Sequence, residues 1–228
     1  MNQFNWIFLS YLLSESLSAY GGGERIIIEK IRSQEKGDSS NNSRIILPSH
    51  FGTHIDFPLH FGLNKRSVNN YVASDFIFNN IIIIDISSFD ISDKLITVND
   101  LMKLELKKNT NIDFLIIKTG FSKYRESKTY WEKGWGFDIG TAKFLKKKFI
   151  GLRAVGFDLI SLSSYQHRVI GRKAHKEYLI DNDILIVEDM DLRKVFINSQ
   201  IKELIVSPLR FEYAEGTPVT ILAKISNA

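Results

Sequence analysis

The chain is organised around the stretch His50-Phe51-Gly52-Thr53-His54-Ile55-Asp56-Phe57-Pro58-Leu59-His60, which holds three of its five histidines. Metal binding is the first explanation for such a concentration, because neutral imidazole is the commonest metal ligand in proteins. Alternate side chains of an extended chain share one face, and four candidate ligands are separated by even numbers of residues: His50, His54, Asp56 and His60. The stretch therefore predicts metal-binding groups on one side of a strand or extended loop.

A helix is the alternative geometry, because His50 and His54 are four residues apart. Gly52 and Pro58 oppose it, since a proline inside a helix costs about 3 kcal/mol. The β-branched residues between them suit extended backbone better. We therefore expect a strand that presents two imidazoles and a carboxylate to one point, with a bend at Pro58 that brings His60 nearby. A strand of purely structural histidines is the other interpretation of the same spacing.

The pattern H-x-G-T-H-x-D-x-P-x-H in this stretch resembles the signature of the cyclase family of metal-dependent hydrolases. The best-known members are bacterial kynurenine formamidases (arylformamidases), and isatin hydrolases are relatives. The resemblance implies an α/β fold, the swivelling β/β/α domain with a mixed sheet packed by helices. It extends over residues 9–225, although outside the signature it is mainly a likeness of pattern.

The other half of the site is expected downstream, around His175 and Glu188. These residues resemble the family segment in which a histidine precedes a strand that ends in a metal-binding glutamate. A carboxylate at the end of a buried strand needs a partner, which a metal, an arginine or a lysine can supply. His167 and Glu177 are the competing candidates, but their polar surroundings fit the surface or the lining of a pocket better.

The resemblance implies one or two divalent ions, with zinc as the usual metal and manganese in some relatives. The chain has no cysteine, so every protein ligand must be a nitrogen or an oxygen atom. The predicted ligands are His50, His54 and Asp56 for one ion, and His175 and Glu188 for a second. Asp56 can bridge the two ions.

His60 is predicted to be catalytic, as a general base and then a general acid, because the first ion does not need it as a ligand. A bound ion lowers the pKa of water toward ~7 and polarises an amide carbonyl. The resemblance implies hydrolysis of N-formylkynurenine to kynurenine and formate, a step of tryptophan catabolism. Two alternatives stay open: a hydrolase of another small amide or a lactam, as in isatin hydrolases, and an inactive metal-binding relative.

Several aromatic residues are candidates for holding an aromatic substrate, and each could equally be part of the core: Phe51, Phe57, Tyr130, Trp131 and Trp135. Phe57 departs from the family, where a small residue usually follows the aspartate, so it could narrow the pocket or change the substrate. Lys118 likewise stands where the family pattern has an arginine.

The composition predicts one globular domain over residues 1–228, with 44% hydrophobic residues, four prolines and no long polar linker. The net charge of +4 is scattered, apart from Lys146, Lys147 and Lys148, which argues against nucleic-acid binding. No apolar run approaches the ~18 residues of a membrane span. With no cysteine and no convincing signal peptide, we expect a cytoplasmic protein.

The resemblance also implies a homodimer or homotetramer, with residues 6–13 and 130–135 as candidate interface segments. Apolar runs predict strands over residues 6–13, 25–31, 81–86, 114–118, 154–158, 184–188, 204–209 and 219–225. Helices are predicted after Thr97, from Asp138 and over residues 174–180.

Overall fold

A computed structural model of the protein describes residues 4–196 and 198–226. Its strands, in chain order, are β1 (Asn5–Phe8), β2 (Ile27–Arg32), β3 (Asn42–Ile46), β4 (His54–Asp56), β5 (Ile77–Phe78), β6 (Ile81–Asp85), β7 (Leu95–Ile96), β8 (Phe114–Lys118), β9 (Gly136–Phe137), β10 (Ala154–Phe157), β11 (Leu185–Glu188), β12 (Gln200–Pro208) and β13 (Gly216–Ser226). The helices are α1 (Val98–Met102), α2 (Thr129–Glu132), α3 (Thr141–Lys148) and α4 (Arg168–Lys176), and α4 continues into a π-helical turn, Glu177–Asp181. Within these residues, no helix is long and apolar enough to cross a bilayer.

One mixed sheet of nine strands runs through the molecule, in the order β5-β12-β13-β4-β11-β10-β8-β6, with β1 also paired to β13. The half from β6 to β11 is parallel, and its strands are continuous apolar runs, as expected for strands covered on both faces. The other half is antiparallel. The mixed sheet confirms the predicted α/β class.

Two separate hydrophobic clusters lie on the two faces of the parallel half, because alternate side chains of each strand point in opposite directions. On one face Leu115 and Ile117 of β8 pack with apolar residues of α3 and α4. On the other face Phe114 and Ile116 pack with apolar residues of β12 and β13. The strands are therefore buried between a helical layer and the antiparallel half of the sheet.

Strand β4 lies between β11 and β13 and is antiparallel to both. Its register places His54 opposite Glu188 and Asp56 opposite Ile186. Ile55 points into the core on the other face and is fully buried. Candidate ligands on β4 and β11 thus meet across two neighbouring strands.

The predicted elements agree with the structure in kind and differ at their ends. The predicted first strand, residues 6–13, is too long, since β1 ends at Phe8 and Ser10 forms only an isolated bridge to Met190. The predicted strand over residues 25–31 pairs with β3 in a separate hairpin. The helix predicted over residues 174–180 begins earlier, at Arg168.

Candidate metal centre

The histidine stretch is extended only over β4: the predicted bend at Pro58 is present, but His50 does not share an extended segment with His54 and Asp56. Only β4 is a strand, while Pro58–His60 forms a 3-10 turn. Gly52 turns the chain with a φ of +67°, and a side chain there would collide with Leu13. The turn at Gly52 and the bend at Pro58 bring His50 and His60 to the same place by folding the chain instead of by strand alternation.

Asp56 lies at the centre of the site and is fully buried. Its Oδ1 is 2.9 Å from Nδ1 of His50 and 3.6 Å from Nε2 of His54. Its Oδ2 is 3.7 Å from Nε2 of His175. Among the described residues, neither oxygen accepts a hydrogen bond. A buried carboxylate without hydrogen bonds is costly, and a cation between these groups would satisfy both oxygens.

Glu188 is the second buried carboxylate of the site. Its Oε2 is 3.2 Å from Nε2 of His54, and its Oε1 is 3.2 Å from Nε2 of His175. The backbone N–H of Leu162 donates to Oε1 at 2.6 Å, and the Ser161 hydroxyl lies 3.3 Å from the same oxygen. The loop before α4 therefore holds Glu188 in place through Oε1, and Oε2 faces His54.

Backbone carbonyls fix the orientation of two imidazoles. Nδ1 of His54 is 2.9 Å from the carbonyl oxygen of Gly52, and Nδ1 of His175 is 2.8 Å from that of Gly171. A carbonyl only accepts, so each Nδ1 carries the proton and donates it. When these rings are neutral, the Nε2 lone pairs therefore face the carboxylates, which is how metal-binding histidines are usually oriented.

The charges of the cluster depend on one another. Burial opposes protonation of His54, but its hydrogen bond to Glu188 and the charges of both carboxylates outweigh burial and raise the pKa of His54 to about 9. The same balance raises the pKa of His175. Burial favours neutral carboxyl groups, yet the imidazoles hold the pKa values of Asp56 and Glu188 below their usual range. Burial lowers the pKa of His60 to about 4.

Two sets of ligand atoms, each within 4.8 Å of one another, fit a divalent ion: His50, Asp56 and His60, and His54, Asp56 and Glu188. Asp56 belongs to both sets, as expected of a bridging carboxylate. His175 contacts the second set through Asp56 and Glu188. Nitrogen and oxygen donors of this kind suit zinc or manganese. The grouping differs from the predicted one, which placed His50 and His54 on the same ion and did not count His60 as a metal ligand.

A cavity of about 330 Å³ opens beside the cluster. Its wall combines four histidines and Glu188 with other polar and apolar residues: Tyr20, His50, His54, His60, Phe61, Ile160, Ser161, Ser163, Arg168, Arg172, His175 and Glu188. The cavity is large enough for a small aromatic amide.

Two of the aromatic residues predicted to contact a substrate are core residues. Phe57 is fully buried and packs on Tyr71, with ring centroids 5.1 Å apart, in the cluster on the other face of the sheet. Phe51 is 1% exposed and packs in a small cluster with Leu17 and Ile26. Neither lines the described cavity. Phe57 therefore does not narrow the pocket.

The aromatic residues Tyr130, Trp131 and Trp135 also lie outside the described cavity wall. Trp131 contacts Tyr165 edge to face at 4.8 Å, and Trp135 contacts Phe121 at 5.1 Å. Tyr130 is buried. Within the described residues, the aromatic wall consists of Tyr20 and Phe61 instead. Phe61 directly follows the signature, which is the signal that sequence analysis overlooked.

The competing candidates have other roles. The carboxylate of Glu177 accepts a hydrogen bond from the backbone N–H of Gly140 at 2.6 Å, before α3. His167 precedes α4, and its backbone N–H lies 3.2 Å from the Ser164 hydroxyl. Neither side chain lines the described cavity. The structure thus brings His175, and not His167, to Asp56 and Glu188.

Sequence analysis missed a buried network next to the site. Asp189 receives a 2.7 Å contact from Nη2 of Arg125 and a 2.6 Å hydrogen bond from the Tyr130 hydroxyl. Its carbonyl oxygen accepts a hydrogen bond from the Thr53 hydroxyl at 2.5 Å. Burial raises the pKa of Asp189 to about 6 despite the Arg125 charge. This network ties β11 to the turn before β4, and its partners are too distant in sequence to be recognised.

Known proteins resemble the chain over nearly its whole length. It is 27% identical over 224 residues to the kynurenine formamidase of Bacillus cytotoxicus, covering 98% of this chain and 99% of that protein. Isatin hydrolase A from Labrenzia aggregata has a TM-score of 0.79 at 17% identity, covering 98% of this chain and 94% of that one. A potential metal-dependent hydrolase with cyclase activity has a TM-score of 0.75 at 20% identity, covering 99% of this chain and 100% of that one.

A family model described as "Putative cyclase" matches residues 7–164, more than half of the chain. The match includes the histidine signature, and the solved structures share the fold. The protein belongs to the cyclase family.

Proposed function

We propose that the protein is a metal-dependent hydrolase of small amides that cleaves N-formylkynurenine to kynurenine and formate. The observation that carries this proposal is Asp56, a fully buried carboxylate without a hydrogen bond from the described residues, surrounded by imidazole nitrogens. The likeness to kynurenine formamidase supports the substrate. A lactam is the second candidate, supported by the likeness of the fold to isatin hydrolase.

The residues that would hold one or two ions are His50, His54, Asp56, His175 and Glu188. Zinc is the proposed metal, with manganese as the alternative, because the ligands are imidazoles and carboxylates without thiolate. A divalent ion bound there supplies Lewis-acid chemistry, since it polarises the amide carbonyl and lowers the pKa of water toward ~7.

His60 is the proposed proton carrier. Its ring is stacked on that of His50 with centroids 4.0 Å apart, and it lies at the cavity wall. Burial lowers its pKa, so the ring is neutral at pH 7 and has a free nitrogen lone pair. It takes a proton from water as the oxygen bonds to the formyl carbon. It then gives that proton to the leaving nitrogen as the C–N bond breaks, which releases formate and an aryl amine.

We also propose a homo-oligomer, whose interface includes the hairpin of β2 and β3. Its strands expose five isoleucines to 41–59%: Ile27, Ile28, Ile31, Ile45 and Ile46. Apolar patches of this kind are typical of interfaces between protein chains. In the predicted interface segment 130–135, Tyr130 is buried, so less of that segment is available for contact with another chain. Light scattering tests this, and a stable monomer at micromolar concentration would contradict it.

The ligand assignment is tested with a matched pair of histidine variants. His175→Ala removes a ring 3.2 Å from Glu188, so metal content and hydrolysis of N-formyl-L-kynurenine should both fall. His167→Ala is the control, because His167 lies outside the described cavity wall and should change neither. Loss of metal in His167→Ala with retention in His175→Ala would overturn the assignment.

A further inference from the structure

Two arginines line the cavity on the same face of α4 as the proposed ligand His175. Arg168, Arg172 and His175 are at positions i, i+4 and i+7, which lie above one another on a helix. With a rise of about 1.5 Å per residue, the backbone of Arg172 lies roughly 4.5 Å and that of Arg168 roughly 10.5 Å along the helix axis from His175. They therefore extend the cavity wall away from the metal cluster.

Neither arginine is neutralised by the part of the chain that the structure describes. No carboxylate oxygen of the described residues lies within 4.0 Å of either guanidinium. Two like charges at positions i and i+4 repel each other, and a positive charge on the first residue of a helix opposes the helix dipole. Both arginines are partly open to solvent, which weakens these two effects, and an anion bound in the cavity would offset them.

Arg168 is held in position before any ligand binds. Its guanidinium carbon lies 4.3 Å from the centroid of the Tyr165 ring and 5.6 Å from that of Tyr20. Gly21 has a φ of +64°, and a Cβ there would lie 3.4 Å from Nη2 of Arg168, so the turn packs closely on the guanidinium. Stacking on aromatic rings leaves the edge of the guanidinium able to donate, to the nearby Tyr20 hydroxyl or to an anion.

We propose that Arg168 and Arg172 bind a carboxylate of the substrate and so determine its class. This inference rests on the proposed function, and it adds that the preferred substrates are aryl formamides that carry a carboxylate at the end away from the scissile carbonyl. Guanidinium groups match a carboxylate with paired N–H donors. The aromatic ring between the two ends lies against Tyr20 and Phe61.

The test compares N-formyl-L-kynurenine with its methyl ester, which lacks the negative charge. The variants are Arg168→Gln, Arg172→Gln and the double variant, all metal-loaded. Lys173→Gln is the control, because Lys173 is exposed on the same helix but is not part of the described cavity wall. In the double variant kcat/KM for the acid should fall roughly 10- to 100-fold, the range of charge-assisted hydrogen bonds, while the ester stays within about twofold. An equal fall for both, or none for the acid, would overturn the inference.

A binding measurement separates this inference from the proposed function. Kynurenine and its methyl ester are titrated calorimetrically into the same metal-loaded proteins, so no turnover is needed. If the protein hydrolyses no amide, the proposed function fails. The carboxylate site still stands if kynurenine binds at least about tenfold more weakly to the double variant than to wild type and to Lys173→Gln. Equal binding of kynurenine to all proteins, or binding to none, overturns it.

Discussion

Asp56 and Asp189 are both buried aspartates close to the same strand pair, yet their surroundings differ. Asp189 has a complete set of protein partners, the guanidinium of Arg125 and the hydroxyl of Tyr130. Asp56 makes no hydrogen bond of good geometry with the described residues, and its neighbours are imidazole nitrogens, of which Nδ1 of His50 is 2.9 Å away. Burial alone therefore does not distinguish a structural carboxylate from a metal ligand, whereas the completeness of its protein partners does.

The backbone of Asp189 is linked to the turn before β4, which carries Asp56. Asp189 directly follows Glu188, and its carbonyl oxygen accepts the hydrogen bond from Thr53 beside His54. The contacts of Asp189 with Arg125, Tyr130 and Thr53 thus hold together β11 and β4, the strands that carry Glu188 and Asp56. We expect changes around Asp56 to affect metal and activity, and changes around Asp189 to affect the free energy of unfolding.

The largest expected effect is that of Asp56→Asn on metal content. The amide keeps the shape but removes the charge shared by both ligand sets, so the affinity should fall by more than the 10–100-fold typical of losing a residue that only orients a ligand. Elemental analysis and metal titration measure it. Full metal retention by Asp56→Asn would show that Asp56 is not a ligand.

The next effect is that of His60→Ala on turnover. A lost general base costs about 10²–10⁴ in rate, and we expect this loss with near wild-type metal content and fold. Steady-state kinetics and metal analysis on the same preparation measure it. Loss of the metal would place His60 among the ligands, in the set with His50 and Asp56. Retention of both metal and full activity would contradict the mechanism.

Arg125→Ala should lower the free energy of unfolding of the metal-free protein by about 3–5 kcal/mol, because it leaves Asp189 buried without its cation. Arg193→Ala is the matched control: its Nη2 is also 2.7 Å from a carboxylate, that of Asp191, but the Arg193 side chain is 54% exposed. The control should lose about 0–1 kcal/mol. Urea unfolding measures both variants. An equal loss of unfolding free energy in the two would contradict the view that the buried pair of Arg125 and Asp189 contributes more than the exposed pair of Arg193 and Asp191.

The smallest expected effect is proton release on zinc binding. In the metal-free protein the hydrogen bond to Glu188 and the charges of the carboxylates raise the pKa of His54 to about 9, so its ring is protonated at pH 7; the pKa of His175 is raised as well. Zinc displaces the His54 proton, and its apparent affinity should rise with pH up to about 9. Without metal, protonation of His54 stabilises the fold below the unfolded pKa, and this contribution is lost as the pH rises through about 9. Calorimetry in two buffers of different ionisation enthalpy at pH 7 counts the protons, and no release would contradict this charge state.

The sequence predicted the sheet class, because apolar runs mark buried strands, and it selected titratable groups that lie together in the structure, because ligand chemistry restricts which residues can serve. It did not predict the turn at Gly52, whose positive φ depends on packing against Leu13. It also placed Phe57 at the pocket, since composition does not tell on which face a large apolar side chain lies. Arg168 was missed because the predicted helix began too late to show the shared face with His175.

Metal content and metal-dependent hydrolysis, measured on one preparation, test the central claim most directly. Protein purified without chelator should hold about one to two equivalents of zinc or manganese per chain, as an imidazole and carboxylate site of this kind predicts. It should hydrolyse N-formyl-L-kynurenine, lose that activity on chelation, and recover it when either metal is returned. Less than about 0.1 equivalent, with no activity gained on adding either metal, would contradict a metal centre at His50, His54 and Asp56.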